Sequence, residues 1–584
     1  MRSGWVGLLS LFIAAACAGV TSAQTQAKSE MKHGAVAPHY EITGVVVSSI
    51  DESPVSHCRL TPTLEEHGVI RGRRFPASSD SFEADEHGHF SISLPSAGKW
   101  NLQASARGYV TQAYEEHGNF STAVVLTAEV PSLDLRFKLS PEASIKGIVL
   151  DEAGEPVREA QMSLHLVPPL NPGGPQGAGS IRGTARTDDR GMYEIAGLSP
   201  GEYRLTVQAH PWYAEASQRG VVSTSQGPPL DPSLDYAYPL TWFPGSSDAA
   251  TAETMVLHAG DTRRADFNLV PVASIHLRIV PPAGVAETAT ERQRQAFPVV
   301  QQIASGSGGP SFVPVTTRLD AQGQFDVSGL TPGIYQVRLP GANPEGRSAM
   351  VEVTSSSVRT VDLNSPSRDI ARVTIHIDGY EGVGEEEGGR GGVRVNLIDT
   401  DTRRGTFSLG GDEGALSGRR GQRDSTVDRS LEVPPGRYEV VLQGRPNLYL
   451  TGLNAKGAEA SGRYVTVPAG ESTVTVHVAN GRANLSGVAT LAGKPVAGAM
   501  VLLVPITIED PDSIDFLRQD QTNTDGSFDL ENVIPGRYIL VAIDRGWQIN
   551  WGDRSTLRRY LSQGVPMELK PSVTLKQNVP AQAP

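Results

Sequence analysis

Cysteine is nearly missing from this chain of 584 residues: the only two are Cys17 and Cys58. Cys17 lies in an apolar N-terminal segment that reads as a signal, so the mature chain keeps one thiol and an intramolecular disulfide framework is excluded. Cys58 is then expected to act as a small buried hydrophobe. After residue 20 no apolar run approaches the roughly 20 residues of a membrane-spanning helix, so no transmembrane segment is expected in the mature chain. A basic excess is also lacking. The formal charge is −13, which favours solubility and speaks against a nucleic-acid partner. Aromatic residues are only 6% of the chain, so wherever they cluster they carry information. No Gly-x-Ser-x-Gly elbow, phosphate-binding glycine loop, dinucleotide fingerprint or His-x-x-Glu pair with a distant His occurs. The residue patterns for nucleophilic, phosphoryl-transfer, hydride-transfer and zinc-peptidase chemistry are therefore not there. The chain reads as a non-enzyme with no catalytic residues and no cofactor.

What is there begins with Arg2, an apolar run from Trp5 to Val20, and Thr21-Ser22-Ala23. One positive charge, a short apolar core and small residues before a cut after Ala23 form a secretory signal peptide over residues 1–23. A second reading makes Cys17, after Ala14-Ala15-Ala16, a lipid-bearing cysteine, although Ala14 stands where such signals usually carry Leu. Either way the protein is expected to be exported, to the periplasm, the cell surface or the exterior. A polar linker follows over 24–40.

The mature chain then repeats one short pattern five times: Gly, any residue, Tyr or Trp, then alternating apolar residues. It stands at Gly98-Lys99-Trp100, Gly201-Glu202-Tyr203, Gly333-Ile334-Tyr335, Gly436-Arg437-Tyr438 and Gly536-Arg537-Tyr538, with glycines 103, 132, 103 and 100 residues apart. A period near one hundred is too long for a solenoid unit and matches a whole β-sandwich. Within the second copy, strands at 144–150 and 161–167 are separated by the turn Asp151–Val157. A hairpin Asp188-Asp189-Arg190-Gly191 and a Ser199-Pro200-Gly201 turn precede the strand Tyr203–Val207, and strands at 254–258 and 264–270 close the copy. Gly and Pro sit where turns need them, and the runs alternate with period two. The fold class is all-β: a tandem array of about five immunoglobulin-like or prealbumin-like β-sandwich domains after the signal peptide. Boundaries fall at 41–140, 143–271 (with a long aromatic insertion), 273–364, 369–480 (degenerate, with long loops) and 482–581. Linkers of a few residues predict a semi-rigid rod. A short helix is expected over Asp553–Leu561, with Leu557, Tyr560 and Leu561 on one face.

The pattern resembles the carboxypeptidase regulatory-like domain, a prealbumin-like sandwich related to bacterial surface B-type repeats. The residues that carry the resemblance are the opening strands Thr43-Gly44-Val45-Val46, Lys146-Gly147-Ile148-Val149 and Ser486-Gly487-Val488, the turns at Pro156-Val157 and Pro495-Val496, the Asp-x-Gly-x-Phe/Tyr hairpin and Leu-x-Pro-Gly-x-Tyr. The resemblance implies the fold. It implies little about activity, because this sandwich serves as an accessory carrier in many settings.

Two groups of side chains are candidates for binding. Trp212, Tyr213, Trp242 and Phe243 lie in the insertion of copy two, and Trp547 and Trp551 take the equivalent place in copy five. Exposed flat rings would stack on sugars; buried ones would close the ends of the sandwiches. Copy one is rich in histidine, and His87 and His89, two apart beside Asp85 and Glu86, are weak metal candidates against the plainer reading of polar turns. Asp510, Asp512 and Asp515 lack the Gly turn and terminal Glu of a calcium loop. Function follows as spacing, adhesion or docking at the cell envelope or exterior, with polysaccharide or envelope proteins as partners. The alternative is carbohydrate binding through the aromatics of copies two and five.

Overall fold

The computed structural model describes residues 39–65, 81–167, 181–214, 234–281, 298–302, 311–312, 315–319, 322–339, 348–354, 359–363, 371–379, 393–400, 406–409, 429–443, 447–506, 517–549 and 554–584. The signal segment, Trp551, the three aspartates at 510, 512 and 515, and most of the Gly- and Arg-rich loops lie outside the described residues. The protein is almost entirely β, with one α-helix, Arg554–Leu561, among the described residues.

The strands fall into five successive units with one topology. In each, the opening strand pairs antiparallel with the hairpin strand and parallel with the closing strand. These trios are Tyr40–Ser48 with His89–Leu94 and Ser132–Leu139, and Ala371–Asp378 with Arg429–Val433 and Gly470–Asn480. The facing sheet joins the second strand to the Gly-x-Tyr strand, as in Gln161–Leu166 with Gly201–Gln208 and Met500–Pro505 with Gly536–Ile543. Each unit encloses its own core. That of the second unit holds Ile145, Val149, Leu164, Tyr203, Leu205 and Phe267, all 3% exposed or less. Because side chains alternate along a strand, Tyr203, Leu205 and Val207 reach the core together, and each such side chain contributes about 1.5–3 kcal/mol on burial.

The recurring aromatic has a second role that alternation does not disclose. The hydroxyls of Tyr203, Tyr335, Tyr438 and Tyr538 donate to the carbonyls of Ser199, Thr331, Pro434 and Ile534, at 2.8, 2.7, 2.6 and 2.5 Å. In the first unit Trp100 Nε1 donates to Ser96 O at 3.3 Å. Each ring thus pins the turn four residues upstream. The ring leans back over its own glycine, where a Cβ would stand 3.3 Å from Tyr203 Cε2. This is why the position takes Tyr or Trp and not Phe: a buried carbonyl needs a donor. Tyr538→Phe should therefore cost sandwich five about 1–3 kcal/mol by stranding the Ile534 carbonyl, read as a lower denaturation midpoint for that unit.

The closing strands are interrupted where the sequence predicts continuous ones. The expected run 264–270 is split into Thr262–Arg264 and Phe267–Asn268, and in unit five Thr574–Lys576 is separated from Val579–Gln582. At each break the closing segment approaches the opening strand closely. The Ala265 carbonyl sits over Gly147, and Asp266 Oδ1 accepts from the Ile148 amide at 3.1 Å. Gln577 and Asn578 repeat this over Gly487, with Val488 N to Asn578 Oδ1 at 3.0 Å. The predicted helix is present, and Leu557 is buried while Tyr560 and Leu561 pack beside it against a second apolar cluster of unit five.

Neighbouring units are tied by specific bonds. Tyr236–Ala237, from the insertion of unit two, pairs with Val272–Ala273 at the head of unit three. Beside it His276 is held between Asp235 (Nε2 to Oδ2, 2.8 Å) and Asp326 (Nδ1 to Oδ1, 3.1 Å). The Asp326 hydrogen bond, against the opposing effect of burial and with help from Asp235, pushes His276 up to about 9. A folded-state value raised above the ordinary 6.5 means a contribution that is complete below pH 6.5 and lost as pH rises through 9. The difference amounts to up to about 3 kcal/mol. Unfolding of the second and third sandwiches should become easier between pH 7 and 10, and His276→Gln should remove that slope.

The rod expected from short linkers is not what forms. Sandwich five packs on sandwich one, so the array closes on itself. The Thr524 amide donates to the Ala123 carbonyl at 3.0 Å. The amides of Ala123 and Val125 donate to Asn523 Oδ1 and Thr524 Oγ1 at 3.2 and 2.8 Å. Gln521 Nε2 donates to Glu115 O and Thr122 Oγ1 at 2.6 and 2.8 Å. Lys99 pairs with Asp529 at the rim, and Phe120 packs against the second apolar cluster of unit five. Linker length limits how far neighbours can separate, but it does not set the turn between them. Complementary surfaces some 400 residues apart in sequence do that here.

Candidate functional site

The aromatic candidates separate into three kinds. Trp242 is 1% exposed. The Thr206–Trp242 pairing adds its short strand to the Gly-x-Tyr strand, and its ring lies 5.3 Å from that of His165. Phe243 is half-buried, with its ring 5.7 Å from Phe267 of the core. These two expected ligand contacts are therefore packing residues: an inserted strand on the sheet edge must cover the core end, and these rings do so.

Trp212 is 74% exposed and stands edge-on to Tyr213, ring centres 5.8 Å apart. Tyr236 follows 6.4 Å beyond Tyr213. The row is anchored beneath by Glu152, which accepts from Tyr213 at 2.6 Å and Tyr238 at 2.8 Å. Burial pushes the Glu152 carboxyl up, but these hydroxyls and its own backbone amide outweigh it and hold the group below the usual carboxylate range. Burial first, and then Glu152, push both phenols above their ordinary range. Trp212 and Tyr213 are thus held as a surface pair on an ordered base. Tyr236 and Tyr238 belong to the same aromatic cluster of the insertion in the sequence; Glu152 was not among the expected site residues. The Asp151-Glu152 turn sits in a different strand pair, so only the fold brings Glu152 under the insertion.

Trp547 is drawn into the closure. Its ring stacks on His117 of sandwich one at 3.8 Å and 15° between planes. Burial lowers the His117 value, partly opposed by its bond with Gln521 (Nδ1 to Oε1, 3.2 Å). Trp547, predicted to form a ligand patch with Trp551, is thus half-buried, with one face of its ring covered by another domain.

Among the described histidines of sandwich one, His57 and His117 have side-chain partners within the fold. His87 and His89 are exposed, and their backbone amides both donate to Asp85 Oδ1 at 2.8 Å, closing the hairpin. The same Asx geometry recurs at Asp188, with the amides of Arg190 and Met192 at 2.9 and 2.8 Å. His57 pairs with Glu83 at the surface. Among the described residues no group of three or more His, Cys, Asp or Glu is placed to hold a metal ion. Cys58 is fully buried in the first core, and burial pushes its thiol up to about 11.

Residues 144–235 match the carboxypeptidase regulatory-like domain family. No curated protein matches the chain. Among solved structures, the Bacillus anthracis TIE protein is 12% identical, over 77% of this chain and 76% of its own, with a TM-score of 0.16. The minor pilin GBS52 of Streptococcus agalactiae is 10% identical over 42% and 98%, with a TM-score of 0.22. The shaft pilin SpaA of Lactobacillus rhamnosus GG is 10% identical over 42% and 100%, with a TM-score of 0.18. Scores this low carry no argument about activity. Taken with the strand order described above, the family match identifies residues 144–235 as a carboxypeptidase regulatory-like domain within an all-β, multidomain sandwich protein.

Proposed function

We propose that this protein is an exported, non-enzymatic scaffold of the cell envelope or exterior, whose work is spacing and docking. The observation that carries the reading is the contact of sandwich five with sandwich one, which makes five small domains into one body. The recurring motif residues are engaged in holding the sandwiches: the tyrosines pin turns, the aspartates close hairpins and the opening glycines admit a crossing carbonyl. The test is the location and inertness of the protein in its own cells. Antibody against the chain should find it outside the cytoplasm, and purified protein should turn over no ester, glycoside, peptide or phosphate substrate. Cytosolic residence, or saturable turnover, overturns the reading.

A second reading, carbohydrate binding, is favoured by the exposed Trp212 beside Tyr213. Two adjoining rings on an ordered base are suited to stack on successive sugar faces. The chain from residue 24, tested on a panel of polysaccharides beside Trp212→Ala, should show saturable retention that the variant loses. Equal retention by both proteins, or none by either, removes this site.

A further inference from the structure

We propose that the surfaces joining sandwiches one and five also join separate copies of this chain, with sandwich five of one copy seated on sandwich one of the next.

The interface combines buried, directional hydrogen bonds with the Phe120 and Trp547–His117 contacts. Gln521, Thr522 and Asn523 are 0% exposed and Thr122 is 2% exposed. Their partners lie across the domain boundary: Thr122 Oγ1 donates to Thr522 O at 3.2 Å, alongside the bonds from Gln521, Asn523 and Thr524. On sandwich one the receiving feature is the edge of Val124–Leu126, whose other edge pairs with Gly98–Trp100. An open edge strand with unpaired amides is a template for pairing. Here the segment 521–524 covers it with side-chain acceptors set by the Asn523 turn, in which the Gly526 amide donates to Asn523 O at 2.8 Å.

Opening this contact leaves the main core of each sandwich enclosed, but it parts Phe120 from the second apolar cluster of unit five and His117 from the Trp547 ring. It also leaves Gln521, Asn523, Thr522 and the amides of Ala123 and Val125 without their partners, which is costly if they stay dry. The surface that restores every one of those bonds is the same surface on a second copy, so the partner is a second copy of this chain. The contact is heterologous, since one patch meets a different patch. Exchange therefore closes into a ring or propagates head to tail. Within one chain the two patches compete at an effective concentration set by the length and stiffness of the three sandwiches between them. Exchange then sets in where copies are crowded to that level, as on a surface or in an envelope compartment.

The test places one cysteine on each side of the rim pair formed by Lys99 and Asp529. Chains from residue 24 carrying Lys99→Cys alone and Asp529→Cys alone are mixed at rising concentration to about the millimolar range, then diluted and oxidised. Cys58 is buried and stays out of the reaction. A disulfide-linked heterodimer that increases with concentration is expected, above a control mixture of Arg136→Cys with Asp529→Cys. A chain with both Lys99→Cys and Asp529→Cys reports the closed form as a faster-migrating monomer. If that chain closes while the mixture stays at the control level throughout, exchange is overturned. If the doubly substituted chain does not close and the mixture also stays at the control level, the interface and the proposal fall together.

Discussion

Gly487→Ala is expected to unfold sandwich five under conditions in which the parent chain is intact. An added Cβ would stand 1.9 Å from the Gln577 carbonyl oxygen and 2.9 Å from Phe528 Cζ. The first is backbone of the closing strand and cannot rotate away, and the second is a fully buried ring. Relief requires parting the parallel pair Asn484–Ser486 with Thr574–Lys576 and losing the Val488–Asn578 bond. A cost of about 3 kcal/mol or more follows, which for a domain near 100 residues lowers the melting temperature by about 15 °C. Gly147→Ala should do the same to sandwich two, since its Cβ would lie 1.9 Å from Ala265 O. Gly452→Ala is the control: nothing lies within 4 Å of a Cβ there, and its effect should stay within about 0.5 kcal/mol. Calorimetry on the full chain should show one transition moving while the others hold.

Trp242→Ala and Trp212→Ala should behave oppositely, although both tryptophans lie in the same insertion. Trp242 is 1% exposed, so its removal leaves a cavity between the inserted strand, His165 and the sheet, costing about 3–5 kcal/mol. Trp212 is 74% exposed, and its removal should change stability by about 0.5 kcal/mol or less. Denaturation of the two variants followed by hydrogen exchange in 201–208 checks this. Equal losses would show that Trp212 also serves the core. The contrast also decides how binding is tested: a sugar-binding defect in Trp242→Ala would report a damaged sandwich, whereas one in Trp212→Ala would report the surface itself.

That the sequence did not separate these two tryptophans is a matter of range. Trp212 follows Pro211 and Trp242 stands two residues before Pro244, and nothing local separates them. Whether an inserted segment returns to the sheet edge depends on pairing with Thr206 and Val207, which no pattern within the insertion encodes. The same holds for Trp547, whose exposure is set by His117 of another domain. By contrast the hairpins at Asp85, Asp188 and Asp525 were legible because an Asx turn is decided by residues two to four apart. The donor role of the recurring Tyr and Trp left a trace that was open to reading: five aromatics with a polar hydrogen at one position, and no Phe.

The period near one hundred, strand alternation and turn chemistry, all read from residues close in sequence, determined five sandwiches, their order and the burial of Tyr203, Tyr335, Tyr438 and Tyr538. Alternation and turns act through local backbone geometry, which travels with the sequence. Tertiary structure alone decided that the opening glycines admit a crossing carbonyl, that Glu152 supports the Trp212–Tyr213 pair, that His276 bridges two aspartates, and that the array closes through Gln521 and Thr122. Each of these depends on surfaces that meet only after the chain has turned, and the free energy of that meeting belongs to pairs of residues tens to hundreds of positions apart.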